Sequence, residues 1–292
     1  MSNFVILSDS CADFDLAMAA KIGVEELLPL TCVLEADGSR TQYADNGKLD
    51  YGAFYNALRK GGTSTTSQVN VERFSETFTR LLAQGKDILY IGFSSGLSGT
   101  VNAARIAQED VIEKFPERKI MIVDSLCASL GQGLLIYHAT QLKKQGKTME
   151  EIAAWLEENK LHLCHWFTVD DLQFLKRGGR VSGAAAAVGT MLSIKPVMHV
   201  DNEGHLIPME KVRGRRQSLD ALVAHMEKTA INPQEQTIFI SHGDCMEDAQ
   251  YVAHQVKAKM NVKDVYIHYV GPVIGSHSGP GTVALFFLGS QR

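Results

Sequence analysis

The sequence predicts an α/β fold built from two α/β units, and three features predict it. Short apolar runs of strand length alternate with longer segments whose apolar residues recur at three-and-four spacing. That alternation specifies a mainly parallel sheet flanked by helices. The pattern closes on a helix at Met149–Asn159 and restarts at Leu163, so a chain of 292 residues divides into units 1–160 and 161–292. Three strands of the first unit run straight into hydroxyl and acid residues: Ser8-Asp9-Ser10, the Ser94 to Thr100 loop, and Asp124-Ser125. In a parallel sheet these loops share the edge where such folds bind ligands, so the site is expected in a cleft between the units.

The elements follow in order. The run FVIL makes 4–7 a strand; 13–22 is a helix capped by Asp13, and 28–34 is a second strand. Segments 50–60 and 71–83 repeat apolar residues on one face and are helices. Strand 88–93, helix 101–114, strand 119–123, helix 129–144 and helix 149–159 complete the first unit. In the second, 163–169 is a strand, 170–176 a short helix and 183–191 a helix of small residues. Segments 195–200 and 205–209 form a hairpin across Asn202-Glu203-Gly204. Helix 215–228, strand 236–240, helix 246–260 and strand 264–270 follow. A glycine-rich loop, 271–281, and a short apolar helix, 282–288, close the chain.

Composition removes several classes of function. Hydrophobic residues at 45% and charged residues at 21% are those of an ordinary globular protein. A net charge of −4 gives no electrostatic footprint for nucleic acid. Five scattered cysteines without a CxxC pair read as reduced thiols, which places the protein in the cytoplasm. The start MSNFVILSDS lacks the basic and cleavable features of a signal peptide. No apolar run is long enough to span a bilayer, leaving only transient membrane contact. No metal-ligand pattern or Walker-type loop is present, so no cofactor is expected.

The segment DILYIGFSSGLSGT, residues 87–100, carries the strongest signal. It delivers Ser94, Ser95, Ser98 and Thr100, together with backbone N–H groups at a helix start, and brings no charge. Such a site suits a carboxylate or phosphate better than a base or a metal. GGTSTTSQ, 61–68, reads as a polar loop joining two helices. In LKRGGRV, 175–181, Arg180 either forks an anionic head group or ties down a loop by its carbonyls, and composition favours the latter. The small residues Ala184, Ala185, Ala186 and Ala187 either permit close backbone packing or leave room for a slender apolar ligand. In GPVIGSHSGPG, 271–281, His277 sits in a constrained loop and is a candidate ligand contact. Gly92-Phe93-Ser94-Ser95-Gly96 matches G-x-S-x-G, which opens a serine-hydrolase reading centred on Ser94. Against it, the helix does not begin at once and no HGG segment precedes. A third reading is a small-molecule phosphotransfer enzyme, with His277 as phosphate carrier.

Taken together, these loops resemble the DegV family of fatty-acid-binding proteins, the FakB-like component of the bacterial fatty acid kinase system. The matching segments are SDS after the first strand, TTSQ at Thr65 to Gln68, SSGLSGT at Ser94 to Thr100, and Asp124-Ser125. DDLQFLKRGGR at Asp170 to Arg180, G-x-x-L-x-I-K-P from Gly189 to Pro196, and GPVIGSHSGPG continue the series. The resemblance implies a long-chain fatty acid as ligand, no catalytic residue in this chain, and a fatty acid kinase catalytic protein as partner. It assigns the carboxylate to Thr66 and Ser98 and places Arg180, His277 and Ser95 near the head group. The acyl phosphate formed would feed phospholipid synthesis. One departure is Val69-Asn70, where the family continues TSQ with proline.

Overall fold

The computed structural model describes residues 3–181 and 194–292. Four strands, β1 (Phe4–Asp9), β2 (Glu26–Leu28), β6 (Asp87–Gly92) and β7 (Ile120–Asp124), form a parallel sheet in the order β2-β1-β6-β7. Every residue of β1 is buried, as expected of a parallel strand covered on both faces. Helices α3 (Val71–Ala83) and α4 (Thr100–Ile112) cover one face; α5 (Leu130–Lys144) and α6 (Met149–Asn159) lie on the other.

A second, six-stranded sheet runs β10-β9-β8-β13-β11-β12, from β8 (Leu163–Thr168), β9 (Ile194–Val200), β10 (Leu206–Arg213), β11 (Thr237–His242), β12 (Asp264–Tyr269) and β13 (Val283–Leu288). Its outer face packs on helices Arg215–Thr229 and Met246–Met260. Its inner face meets α5, so one apolar core continues from the parallel sheet through α5 into the second sheet. A three-stranded antiparallel sheet, β4-β3-β5, sits to the side: β3 (Thr31–Ala36), β4 (Ser39–Ala44) and β5 (Thr63–Ser67), with α2 (Tyr51–Arg59) between the last two in sequence.

The alternating α/β pattern, the parallel first sheet and the β9–β10 hairpin are as predicted, the hairpin turning through Gly204 at φ 80°. Five expectations need correction. Segment 28–34 is two strands in different sheets, because Pro29 separates them and has no N–H for a ladder. The first long helix, α1 (Leu16–Ile22), is capped by Asp15, which accepts the Met18 N–H at 2.6 Å; Asp13 instead closes a 3-10 turn at φ 52°. Within 61–68, Thr63–Ser67 is a strand, which its β-branched threonines favour. Segment 282–288 is not a helix but β13, central between β8 and β11. The 271–281 loop contains the helix Pro272–Ser278, with proline at its first position. The small-residue helix 183–191, with Ala184 to Ala187, and the start of the 189–196 segment lie outside the described residues.

Candidate functional site

The strand-end loops are organised by buried acids. Asp9 accepts hydrogen bonds from the Tyr90 hydroxyl at 2.7 Å, the Phe93 N–H at 3.0 Å, the Cys11 N–H at 3.1 Å and the Gln132 amide at 3.3 Å. Asp124 accepts the N–H groups of Ser95 and Leu126 at 3.2 and 3.1 Å. Both acids shape loops. Ser94 is fully buried; its hydroxyl donates to the Gly204 carbonyl at 2.9 Å and accepts the Gly96 N–H at 3.2 Å. It thereby fastens the β9–β10 turn, and no histidine is bonded to it. A nucleophile needs a base in reach, so the hydrolase reading loses its centre.

Beyond Ser94 the chain turns tightly, with the N–H groups of Leu97 and Ser98 both 3.1 Å from the Ser94 carbonyl. This turn aims the side of Ser98 into a cavity at the start of α4. The Ser98 hydroxyl lies 2.9 Å from that of Thr100 and accepts the Thr100 N–H at 3.3 Å. Ser95, on the outside of the turn, is exposed and does not line that cavity.

Thr66 arrives from the three-stranded sheet. Alternation along β5 turns Ser64 and Thr66 to the same side, where they meet neighbours on the helix Pro272–Ser278. The Ser64 and Ser276 hydroxyls lie 2.7 Å apart, and Thr66 Oγ1 lies 2.8 Å from His277 Nε2. Gln68 packs its amide against Gly99, so close that a Cβ on Gly99 would collide with it. Val69 is buried, and Asn70 caps α3 by accepting the Arg73 N–H at 2.9 Å. Arg180 donates to the carbonyls of Leu97 at 3.2 Å and Gly178 at 2.5 Å, so it ties the loop as composition suggested while also lining the cavity. His277 rests its Nδ1 against Gly178, where no larger residue fits. Burial, reinforced by the Arg180 charge, lowers the His277 pKa to about 4. The imidazole is neutral at pH 7.

Thr66, Ser98, Arg180 and His277 thus line one end of a single cavity of about 430 Å³, within the ~300–1,000 Å³ usual for small-molecule sites. The rest of its wall is mostly apolar. Across the inner face of the second sheet, Phe167, Ala284 and Ser241 lie in one row and His165 and Phe286 in the next. Leu30, Phe93, Val273 and Ile274 face them. A second hollow of about 370 Å³ adjoins the polar end; it shares Thr66, Arg180 and His277 and adds Thr63, Thr65 and Arg177.

Sequence reasoning missed Gln68, Ser129, His165, Ser241 and the β13 wall. The one available signal was the aromatic and β-branched run VALFFL, which suits a strand better than a helix. Among the described residues, no group of three or more His, Cys, Asp or Glu side chains is placed to hold a metal ion. No helix there is long and apolar enough to cross a membrane.

A family model described as an uncharacterised protein of the DegV family matches residues 3–290. A DegV domain-containing protein of Clostridium perfringens is 50% identical, covering 100% of this chain and 99% of its own. Among solved structures, DegV from Bacillus subtilis, described as a fatty acid binding protein, superposes with a TM-score of 0.83 at 30% identity, covering 98% of this chain and 99% of that one. A DegV family protein from Thermus thermophilus, described by its fatty acid binding, gives 0.85 at 28% identity over 97% and 98%. A DegV lipid binding protein from Thermotoga maritima gives 0.86 at 28% identity over the whole of both chains.

Proposed function

This chain belongs to the DegV family, and we propose that it binds one long-chain fatty acid and presents the carboxylate to a separate kinase subunit for phosphorylation. The observation that carries the reading is the cavity itself: a mostly apolar wall ending in the hydroxyls of Thr66 and Ser98, with Arg180 and His277 beside them. Residues 1–160 supply most of the head-group loops, and residues 161–292 complete the tunnel.

The tail supplies affinity. Removing ~14 methylenes from water at roughly 0.8 kcal/mol each is worth about 11 kcal/mol before association and ordering costs. The head needs only orientation. Thr66 and Ser98 donate to the carboxylate as neutral hydroxyls, which carry no opposing charge of their own to desolvate, while Arg180 at the same end is engaged by the Leu97 and Gly178 carbonyls. His277 sets the direction of the Thr66 hydroxyl: when Nε2–H donates to Oγ1, the threonine hydrogen is left for the ligand. One carboxylate oxygen then faces the adjoining hollow, from which a partner's phosphoryl group approaches. The chain contains no Walker-type loop, so the phosphoryl donor is assigned to the fatty acid kinase catalytic protein.

Thr66→Ala and Ser98→Ala test the division of labour. Each removes one hydrogen bond to a charged group, about 1.5–3 kcal/mol. Affinity for the fatty acid should fall ~10- to 150-fold with the tail still holding it in the cavity, while acyl phosphate formation by the kinase falls much further. Variants purified empty of lipid would refute the division between tail and head.

A further inference from the structure

A separate hollow of about 290 Å³ is used by none of the chemistry above and shares no lining residue with the fatty-acid cavity. Much of its wall is apolar: Leu16, Ala19 and Ala20 of α1, with Phe14, Val24 and Leu27. Its polar wall comes from Asp13, in the turn after β1, Asp45, just after β4, and the backbone of Gly271. Both aspartates are buried, and Asp13 Oδ1 and Asp45 Oδ2 have no hydrogen-bond partner. The Gly271 N–H approaches Asp13 without completing a bond to Oδ1. Both orphaned oxygens face the space where Gly271 lacks a side chain. A Cβ built there would stand 2.6 Å from Asp13 Oδ1 and 3.5 Å from Asp45 Oδ2. That space is a cradle with two acceptors and nothing to donate to them. Among the described residues, no lysine or arginine lines the hollow. Its other acids are already matched, Glu25 by Lys86 and Glu26 by Arg80.

We propose that this hollow binds a free short-chain alkylamine, with its ammonium group on Asp13 Oδ1 and Asp45 Oδ2 and its alkyl stem along the apolar wall of α1. A primary ammonium carries three donors and no acceptor, so one group serves both orphaned oxygens. Buried carboxylates without partners are costly, and charge-assisted bonds from an ammonium remove that cost. The donor set does not suit a metal ion. Among the described residues, no group of three or more His, Cys, Asp or Glu is placed to hold one. Two carboxylate oxygens also fall well short of the roughly six to eight oxygens that a calcium ion gathers. The apolar wall gives a hydrated ion nothing, whereas it takes methylenes out of water. Tyr51, also in the wall and stacked on Tyr269 at 5.0 Å, adds an aromatic surface of the kind that attracts cations. The volume lies at the low end for small-molecule sites, which sets the stem as short. This site stands apart from the fatty-acid reading and does not depend on it.

An NMR titration of the isotope-labelled protein with n-butylammonium chloride tests the site and locates it. It is run at about pH 8, where an alkylamine keeps its charge. Saturable shifts should cluster on the amides of Gly271, Asn46 and Gly47, which line the hollow, with a dissociation constant of about 1 mM or tighter. Asp45→Asn puts an amide where the ammonium needs an acceptor, and should weaken binding at least tenfold. Should that variant not fold, Gly271→Ala takes its place: its φ of −65° suits alanine, and the added methyl fills the cradle, so the shifts should vanish. Two controls hold the chemistry to its class. The neutral n-butanol, with the same stem, should leave these amides unmoved, and potassium chloride at equal concentration should do the same. No saturable shift at the hollow, an equal response to n-butanol or potassium, or undiminished binding by the folded variant would each overturn the proposal.

Discussion

Ala284→Phe separates an apolar tail site from a merely polar one. Ala284 lies in the middle of β13, between Phe167 of β8 and Ser241 of β11, with its methyl in the cavity wall. A phenyl ring there projects into space that the fatty acid tail would fill, and excludes ~4 methylenes. At roughly 0.8 kcal/mol each, about 3 kcal/mol of binding is lost, or a factor of ~200 in affinity. The fold itself should lose nothing of that order, because the ring fills a hollow instead of an occupied core position. Displacement of a fluorescent fatty acid gives the affinity, and thermal melting of the ligand-free protein gives the stability. A folded variant whose affinity for long-chain fatty acid stays within twofold of wild type would refute tail burial at β13. Shorter acids, whose chains stop before Ala284, should recover part of the loss.

Other outcomes follow from the head-group end and its supports. Gly178→Ala pushes a methyl into the His277 ring, so the Thr66–His277 bond should break; NMR titration should then show the His277 pKa rising from about 4 toward its ordinary value. In the wild type that low pKa predicts a neutral imidazole throughout pH 5–8, and stability that decreases as pH falls from ~6.5 toward 4, readable by pH-dependent melting against His277→Gln. Asp9→Ala strands three buried donors, of Tyr90, Phe93 and Cys11, while Gln132 keeps its bond to Ser8; it should cost about 3 kcal/mol or more in chemical denaturation, far beyond the effect of Ser95→Ala on the exposed side of the turn. Tyr55→Phe removes the bond to the Val270 carbonyl and should cost about 1 kcal/mol.

The parts of the fold that the sequence made legible are those with a long period or a strong cap. Val71–Ala83, Met149–Asn159 and Met246–Met260 have the boundaries their apolar spacing predicts. What stayed hidden depends on partners distant in sequence. VALFFL is compatible with helix or strand until β8 and β11 flank it, and the Ser39–Ala44 edge strand buries too little to leave an apolar signature. Thr66 and His277 are 211 residues apart, and nothing local indicates that a polar strand and a short glycine-rich helix will meet. Ordered motifs nominated Thr66, Ser98, Arg180 and His277, which the fold brings to one cavity end; Ser95 shares their motif but faces away.

Mass spectrometry of what the purified protein releases on denaturation tests the central claim most directly. One equivalent of a long-chain fatty acid per chain from the wild type, and much less from Ala284→Phe, is the predicted result. A wild-type protein that releases no fatty acid, and takes none up when offered it, would contradict the account.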